Sequence, residues 1–275
     1  LPYPTNLEIA RKMEATVRQH AAIPATIALL DGQIRVGLSD AELEHLATAK
    51  GIRKVSSRDL PIVAAQGRDG ATTVAATATI AARAGIRVFA TGGIGGVHRD
   101  PSYDISNDLP TLASVPVAVV CAGAKSILDL RATLEWLETA GIPVIGYGTN
   151  DFPAFYSRRS GLTVDVRVDT PQEAATIIHA SHCLGLATGQ LVAVPVPQAD
   201  ELPSEILEPM IASAMSQARA QGIEGSRTTP FLLSQIAQQS SGASLRANLS
   251  LLDNNAAVAA QIAVAQSEMQ GSLSP

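Results

Sequence analysis

The chain has 275 residues, 46% of them apolar and 16% charged, which is enough to bury a full core. Its 20 basic and 25 acidic side chains leave a formal charge of −5, and the Lys and Arg residues are dispersed rather than gathered into a stripe, which excludes DNA and RNA polymers as partners. No apolar run is long enough to cross a bilayer and no signal-peptide pattern is visible.

No composition shift, repeat or low-complexity linker divides the chain, so a single domain over residues 1–275 is expected. Cys121 and Cys183 each lie in an apolar stretch and read as reduced, buried thiols of a cytoplasmic protein, not as a disulfide framework. The sequence begins at Leu1 without a methionine, so a native segment is expected to precede it.

In chain order, Thr5 and Glu8 form a capping box for a first helix with Leu7, Ala10, Met13 and Val17 at helical spacing. Residues 25–30 and 33–38 are β-prone runs joined by Asp31-Gly32, a strong hairpin signal. Ser39 and Glu42 open a second helix to about Ala49, followed by β-prone pieces around Val55 and at 62–65. A helix rich in Ala and Thr spans 71–84. Strands then fall at 88–91, 117–121, 144–147, 164–168 and 191–196, with helices at 126–140 and 171–184 between them. Residues 194–198 form a bend before the last helices at 206–220, 230–239 and 245–270. This alternation predicts a three-layer α/β/α fold around a largely parallel sheet, made mixed by the early hairpin.

Lysine usage is the first chemical signal. Sixteen of the twenty basic residues are Arg, so a lysine in an apolar setting needs a reason. Lys125 sits in VVCAGAKSILDL, after an apolar strand and at the start of a predicted helix. Burial and a helix N-terminus would both disfavour its ammonium form and free the amine to attack a carbonyl. The alternative is a lysine with a buried stem and a solvated head.

Glycine is the second signal. ATGGIGGVHR, residues 90–99, follows a strand, and its backbone amides can approach a ligand such as a phosphate. It carries neither the dinucleotide nor the P-loop spacing. A second glycine turn, 66–70, leads into the helix that begins ATTV, another candidate anion site. The third signal is DISND, residues 104–108, whose carboxylates suit either a hard divalent cation or turn and capping roles. Residue type alone favours capping.

KVSSRDLP (54–61), GATTVAAT (70–77), FATGGIGGVHR (89–99), DIS (104–106), VVCAGAKSILDL (119–130), FPAFY (152–156), TPFLL (229–233) and SLRANLSLLDNNA (244–256) together resemble the pseudouridine-5′-phosphate glycosidases, a family that includes indigoidine-cluster A proteins. The resemblance runs from PYPTN at residue 2 to the last helix. It implies a lyase that reversibly splits pseudouridine 5′-phosphate into uracil and ribose 5-phosphate. Lys125 is then the nucleophile that forms an imine with C1′ of the ring-opened sugar.

By the same resemblance, Asp104 holds a divalent metal, usually manganese, and Ser106, Asn107 and Asp108 contact substrate, as do Lys54 and Val74. Asn248 meets the base, and Thr91 and His98 border the site as weaker candidates. The resemblance also implies a homotrimer and a proton-donor Glu in an ALEST-type motif, expected upstream of Leu1. The chain departs from the family pattern at Val194, where Asn is usual, at Ser226 and Asp253, where Lys is usual or common, and in a short loop between His98 and Asp104. These departures touch base recognition. They leave open the synthetic joining of ribose 5-phosphate to an aromatic polyketide carbon and, as a different class, a non-catalytic ribose-phosphate sensor.

Overall fold

In the computed structural model the described residues are 1–101, 103–223 and 225–271, without the side chains of 226, 270 and 271. The N-terminal part runs α1 (Thr5–Gln19), β1 (Ile27–Leu30), β2 (Gln33–Val36), α2 (Asp40–Thr48), β3 (Arg53–Val55), α3 (Leu60–Ala65), β4 (Gly70–Thr72) and α4 (Val74–Arg83). Asp31 and Gly32 both take positive φ, 50° and 73°, as a two-residue hairpin turn between twisted strands demands. The hairpin does not join the parallel sheet. It forms a separate four-stranded sheet in the order β2-β1-β4-β3.

The rest of the chain is β5 (Val88–Ala90), β6 (Val97–His98), α5 (Asp108–Leu112), β7 (Ala118–Cys121), β8 (Leu128–Asp129), α6 (Leu130–Thr139), β9 (Val144–Tyr147), β10 (Val166–Val168), α7 (Pro171–Cys183), β11 (Gln190–Ala193), α8 (Ser204–Ala220), α9 (Thr228–Gln239) and α10 (Ala243–Gly271). Five of these strands make an all-parallel sheet in the order β10-β9-β11-β7-β5. Alternation along the strands sends Val119, Cys121, Leu191 and Ala193 to one face, where they pack with Leu109, Leu112, Leu137 and Ile211. Ala118, Val120, Ile145 and Val192 go to the other, against Ala174, Ile178, Val258 and Ile262. Strands buried on both faces need the near-continuous apolar runs seen in the sequence.

Four local expectations are corrected. Thr5 is the first helical residue and caps nothing, because Pro4 occupies the cap position. Residues 62–65 are helical, not extended, since Pro61 falls in the first turn of α3, where its missing N–H costs nothing. The helix expected from Ala71 begins at Val74, residues 70–72 being spent on β4 between β1 and β3. Cys121 is buried as expected and its thiol is pushed up to about 12 by desolvation, but Cys183 is exposed, with Sγ 3.3 Å from His179 Nε2. No helix among the described residues is long and apolar enough to cross a membrane.

Candidate active site

Past the carboxyl ends of β5 and β7 the two segments stay paired. Thr91 N donates to Val120 O at 3.0 Å, Ala122 N to Gly92 O at 2.9 Å, Ile94 N to Gly123 O at 3.1 Å and Lys125 N to Ile94 O at 3.1 Å. Lys125 is thereby pinned at the carboxyl edge of a parallel sheet, where open α/β sheets bind ligands. The helix expected from Ser126 does not start there. Leu128 N closes a turn onto Lys125 O at 3.0 Å, and α6 begins at Leu130, capped by Asp129, so no helix N-terminus acts on the lysine. Desolvation by burial lowers the Lys125 pKa below the ordinary 10.5, Asp108 opposes that shift, and the positive charge of Lys54 adds to it.

Asp108 is buried at 6% exposure. Its Oδ1 accepts from Ala75 N at 2.9 Å and its Oδ2 from Gly95 N at 2.8 Å. One carboxylate therefore ties the first turn of α4 to the glycine loop while presenting a negative charge to the lysine. Ser106 Oγ accepts from Asp108 N at 3.2 Å, and Asn107 Nδ2 reaches Ser57 Oγ and Thr111 Oγ1, each at 3.2 Å. Because Asp108 turns inward to these amides, it does not converge with Asp104 on a shared cation.

The glycines serve close packing of protein on protein rather than an open cradle of amides. A Cβ on Gly93 would stand 2.6 Å from the Phe155 ring, one on Gly95 would strike Ser106 and Asp108, and one on Gly96 would strike Thr133. The amides of Ile94, Gly95 and Val97 donate to Gly123 O, Asp108 and Thr133 Oγ1. Gly123, at φ 79°, likewise makes room for the carbonyl of Pro153. Phe155 itself sits at φ 64°, an unusual conformation for a bulky residue, with its N–H held by Ala122 O at 2.9 Å.

Val74 and Thr91 line a mostly apolar cleft of about 430 Å3 between α1, α4, β5 and α10. Asn248 lies half-buried on α10, one turn before Leu251, which contacts the Gly92 position. His98 and Asp104 meet at the far end of the glycine loop, with Nε2 3.9 Å from Oδ2 and His98 N donating to Asp104 O at 3.0 Å. Among the described residues no three His, Cys, Asp or Glu side chains converge. Asp104, with His98 beside it, therefore fits only a divalent ion that keeps most of its water.

Sequence reasoning passed over three residues that shape this region. Asn255 Nδ2 donates to Thr91 O at 2.8 Å, tying α10 to the loop, while its buried Oδ1 has no hydrogen-bond partner among the described residues. Thr133 supports Val97, and Arg99 braces the segment after the lysine. The motif context of Asn255 and Arg99 was visible; their long-range partners were not.

The profile of the indigoidine synthase A like protein family matches residues 1–265. The chain belongs to this family. Indigoidine synthase A-like relatives include pseudouridine-5′-phosphate glycosidases of Methylobacterium nodulans, 55% identical over 96% of this chain and 79% of the relative, and of Herpetosiphon aurantiacus, 55% identical over 96% and 88%. Among solved structures, the prealnumycin C-glycosynthase AlnA in complex with ribulose 5-phosphate superposes with a TM-score of 0.92 at 41% identity, covering 98% of this chain and 90% of that one. An indigoidine synthase A-like protein of Thermotoga maritima gives 0.90 at 38% identity, over 96% and 88%.

Of the positions that depart from the family pattern, Asp253 pairs with Lys12 at 2.9 Å and accepts from Thr16 at 2.6 Å, so it joins α10 to α1. Val194 is buried, its N–H on Cys121 O at 2.8 Å. The side chain of Ser226 lies outside the described residues.

Proposed function

We propose that this protein reversibly cleaves and forms the carbon–carbon glycosidic bond of pseudouridine 5′-phosphate, exchanging it with uracil and ribose 5-phosphate. The observation that carries this reading is Lys125, desolvated at the sheet edge and under the opposed charges of Asp108 and Lys54, in a chain 55% identical to pseudouridine-5′-phosphate glycosidases. A sugar-to-carbon bond offers no basic leaving atom, so the paired carboxylates of an ordinary glycosidase would not suffice. An amine with a lowered pKa supplies another route: Nζ bonds to C1′ as the C1′–O4′ bond breaks and O4′ takes a proton. The Nζ lone pair then forms the imine as the protonated uracil carbon departs with the C–C bonding electrons, and water hydrolyses the imine to release ribose 5-phosphate and the free lysine.

In this reading Lys54, Ser106 and Asn107 face the sugar phosphate, Asp108 holds the amides of Ala75 and Gly95 behind them, Val74, Thr91 and His98 border it and Asn248 meets the base. Asp104 would hold a largely hydrated Mn2+, which supplies Lewis-acid charge to substrate oxygens when bound. The protein would act as a cytoplasmic homotrimer, and light scattering that returned a monomer mass would refute that assembly. A second reading, synthetic C-ribosylation of an aromatic polyketide, is favoured by the likeness to AlnA. Borohydride trapping of a ribose 5-phosphate adduct on the Lys125 peptide tests the chemistry common to both. Its absence would leave a non-catalytic sensor.

A further inference from the structure

The segment between Lys125 and the cap of α6 closes a turn on Lys125 O and pairs with β6 at Leu128 and Asp129, and a side chain from the end of the glycine loop binds its carbonyls as well. Arg99 Nε donates to Leu128 O at 3.2 Å and Nη2 to Ser126 O at 2.9 Å. The other edge of the same guanidinium forms a bidentate pair with Glu208 of α8, Nη1 to Oε2 at 2.7 Å and Nη2 to Oε1 at 2.9 Å. Arg219 of α8 also reaches Asp100 at 2.6 Å, so α8 grips two consecutive residues of the loop.

We propose that Arg99 is a positioning residue for Lys125: by fixing the two carbonyls that follow the lysine, it holds the reactive amine against the sheet edge. This rests on the imine reading of Lys125. The planar fork of arginine can serve two carbonyls and a carboxylate at once, whereas a lysine at 99 would offer one mobile point of charge. Because α6 starts at Leu130, the carbonyls of Ser126 and Leu128 are not spent on helical hydrogen bonds and are bound by Arg99, beside the turn at Lys125 and the β6 pairing. The side chain of Arg99 is 29% exposed, and its bonds to the two carbonyls are half-buried while its pair with Glu208 lies open to water.

The test is Arg99→Lys, with borohydride trapping of ribose 5-phosphate followed over pH and folding checked by thermal unfolding. A loosened lysine segment should slow trapping by about tenfold to a hundredfold. It should also move the pH midpoint upward, because a freer amine is better hydrated and holds its proton more tightly. Saturation by ribose 5-phosphate should change little, since the donors of Arg99 are spent on Ser126 O, Leu128 O and Glu208. A folded Arg99→Lys protein with wild-type rate and midpoint overturns the proposal. Should that variant not fold, Glu208→Gln, altered at a half-exposed position, reads the same clamp: a smaller loss in the same direction is expected, and no change overturns it. If wild type itself does not trap, the imine reading has failed. Arg99 is then judged by the pH midpoint of Lys125 acylation with a small amine-reactive ester, which requires no turnover and should still rise in Arg99→Lys.

Discussion

The setting of the Lys125 amine is made by opposed influences that mutation can separate. Desolvation and the charge of Lys54 lower the Lys125 pKa, and Asp108 raises it. In the proposed reading the neutral amine is the nucleophile, so trapping by ribose 5-phosphate should rise with pH and reach half its plateau below 10.5, the ordinary lysine value; a midpoint at or above 10.5 would contradict the desolvated setting. Asp108→Asn removes the opposing charge, so the midpoint should fall further, opposite in sign to the shift expected for Arg99→Lys. The same change replaces one acceptor oxygen with an NH2 that must face the N–H of either Ala75 or Gly95. Leaving that buried amide unsatisfied should cost about 1–3 kcal/mol, measurable by urea denaturation. A midpoint that did not move would place Asp108 outside the electrostatic reach of the lysine.

Elements of strong period were legible in the sequence, and short ones were not. The five strands of the parallel sheet and the long helices carry enough apolar residues to declare themselves. β6 and β8 are two residues each and exist only because they pair with one another, Val97 with Asp129 and His98 with Leu128. That pairing also removed the first turn of the helix expected over Ser126–Asp129, whose local pattern is helical but whose backbone is claimed by Arg99 and β6. The reactive lysine stood out through residue usage, yet its helix N-terminus was an artefact of that local pattern. The glycine loop stood out as well, but its physical reason, contact with Ser106, Asp108, Thr133 and Phe155, lies in distant sequence. Gly95→Ala should therefore destabilise the fold by about 1–3 kcal/mol, because the added methyl meets a hydroxyl and a carboxylate that are both held in place. An unchanged denaturation midpoint would mean that the loop can shift freely.

At the scale of the whole molecule, the proposed reading draws the sugar half and the base half of the site from different parts of the chain. Lys125, Asp108 and the glycine loop belong to the edge of the parallel sheet, whereas Asn248 projects from α10, which also carries Asn255 and Asp253. In that reading acceptor choice can change while sugar chemistry persists. Supplying the protein with ribose 5-phosphate, Mn2+ and either uracil or a polycyclic phenol separates the two readings. Lys125→Ala and Lys125→Arg should both abolish every C-ribosylation, because neither can form the imine and the covalent path itself is gone. Asn248→Ala should lose about 1–3 kcal/mol of transition-state stabilisation with uracil, or about one to two decades in rate, and much less with the phenol. Appreciable turnover by Lys125→Arg would remove the nucleophile assignment. Wild-type protein that rejected uracil but ribosylated the phenol would make the synthetic reading the function, with the same lysine serving a different acceptor.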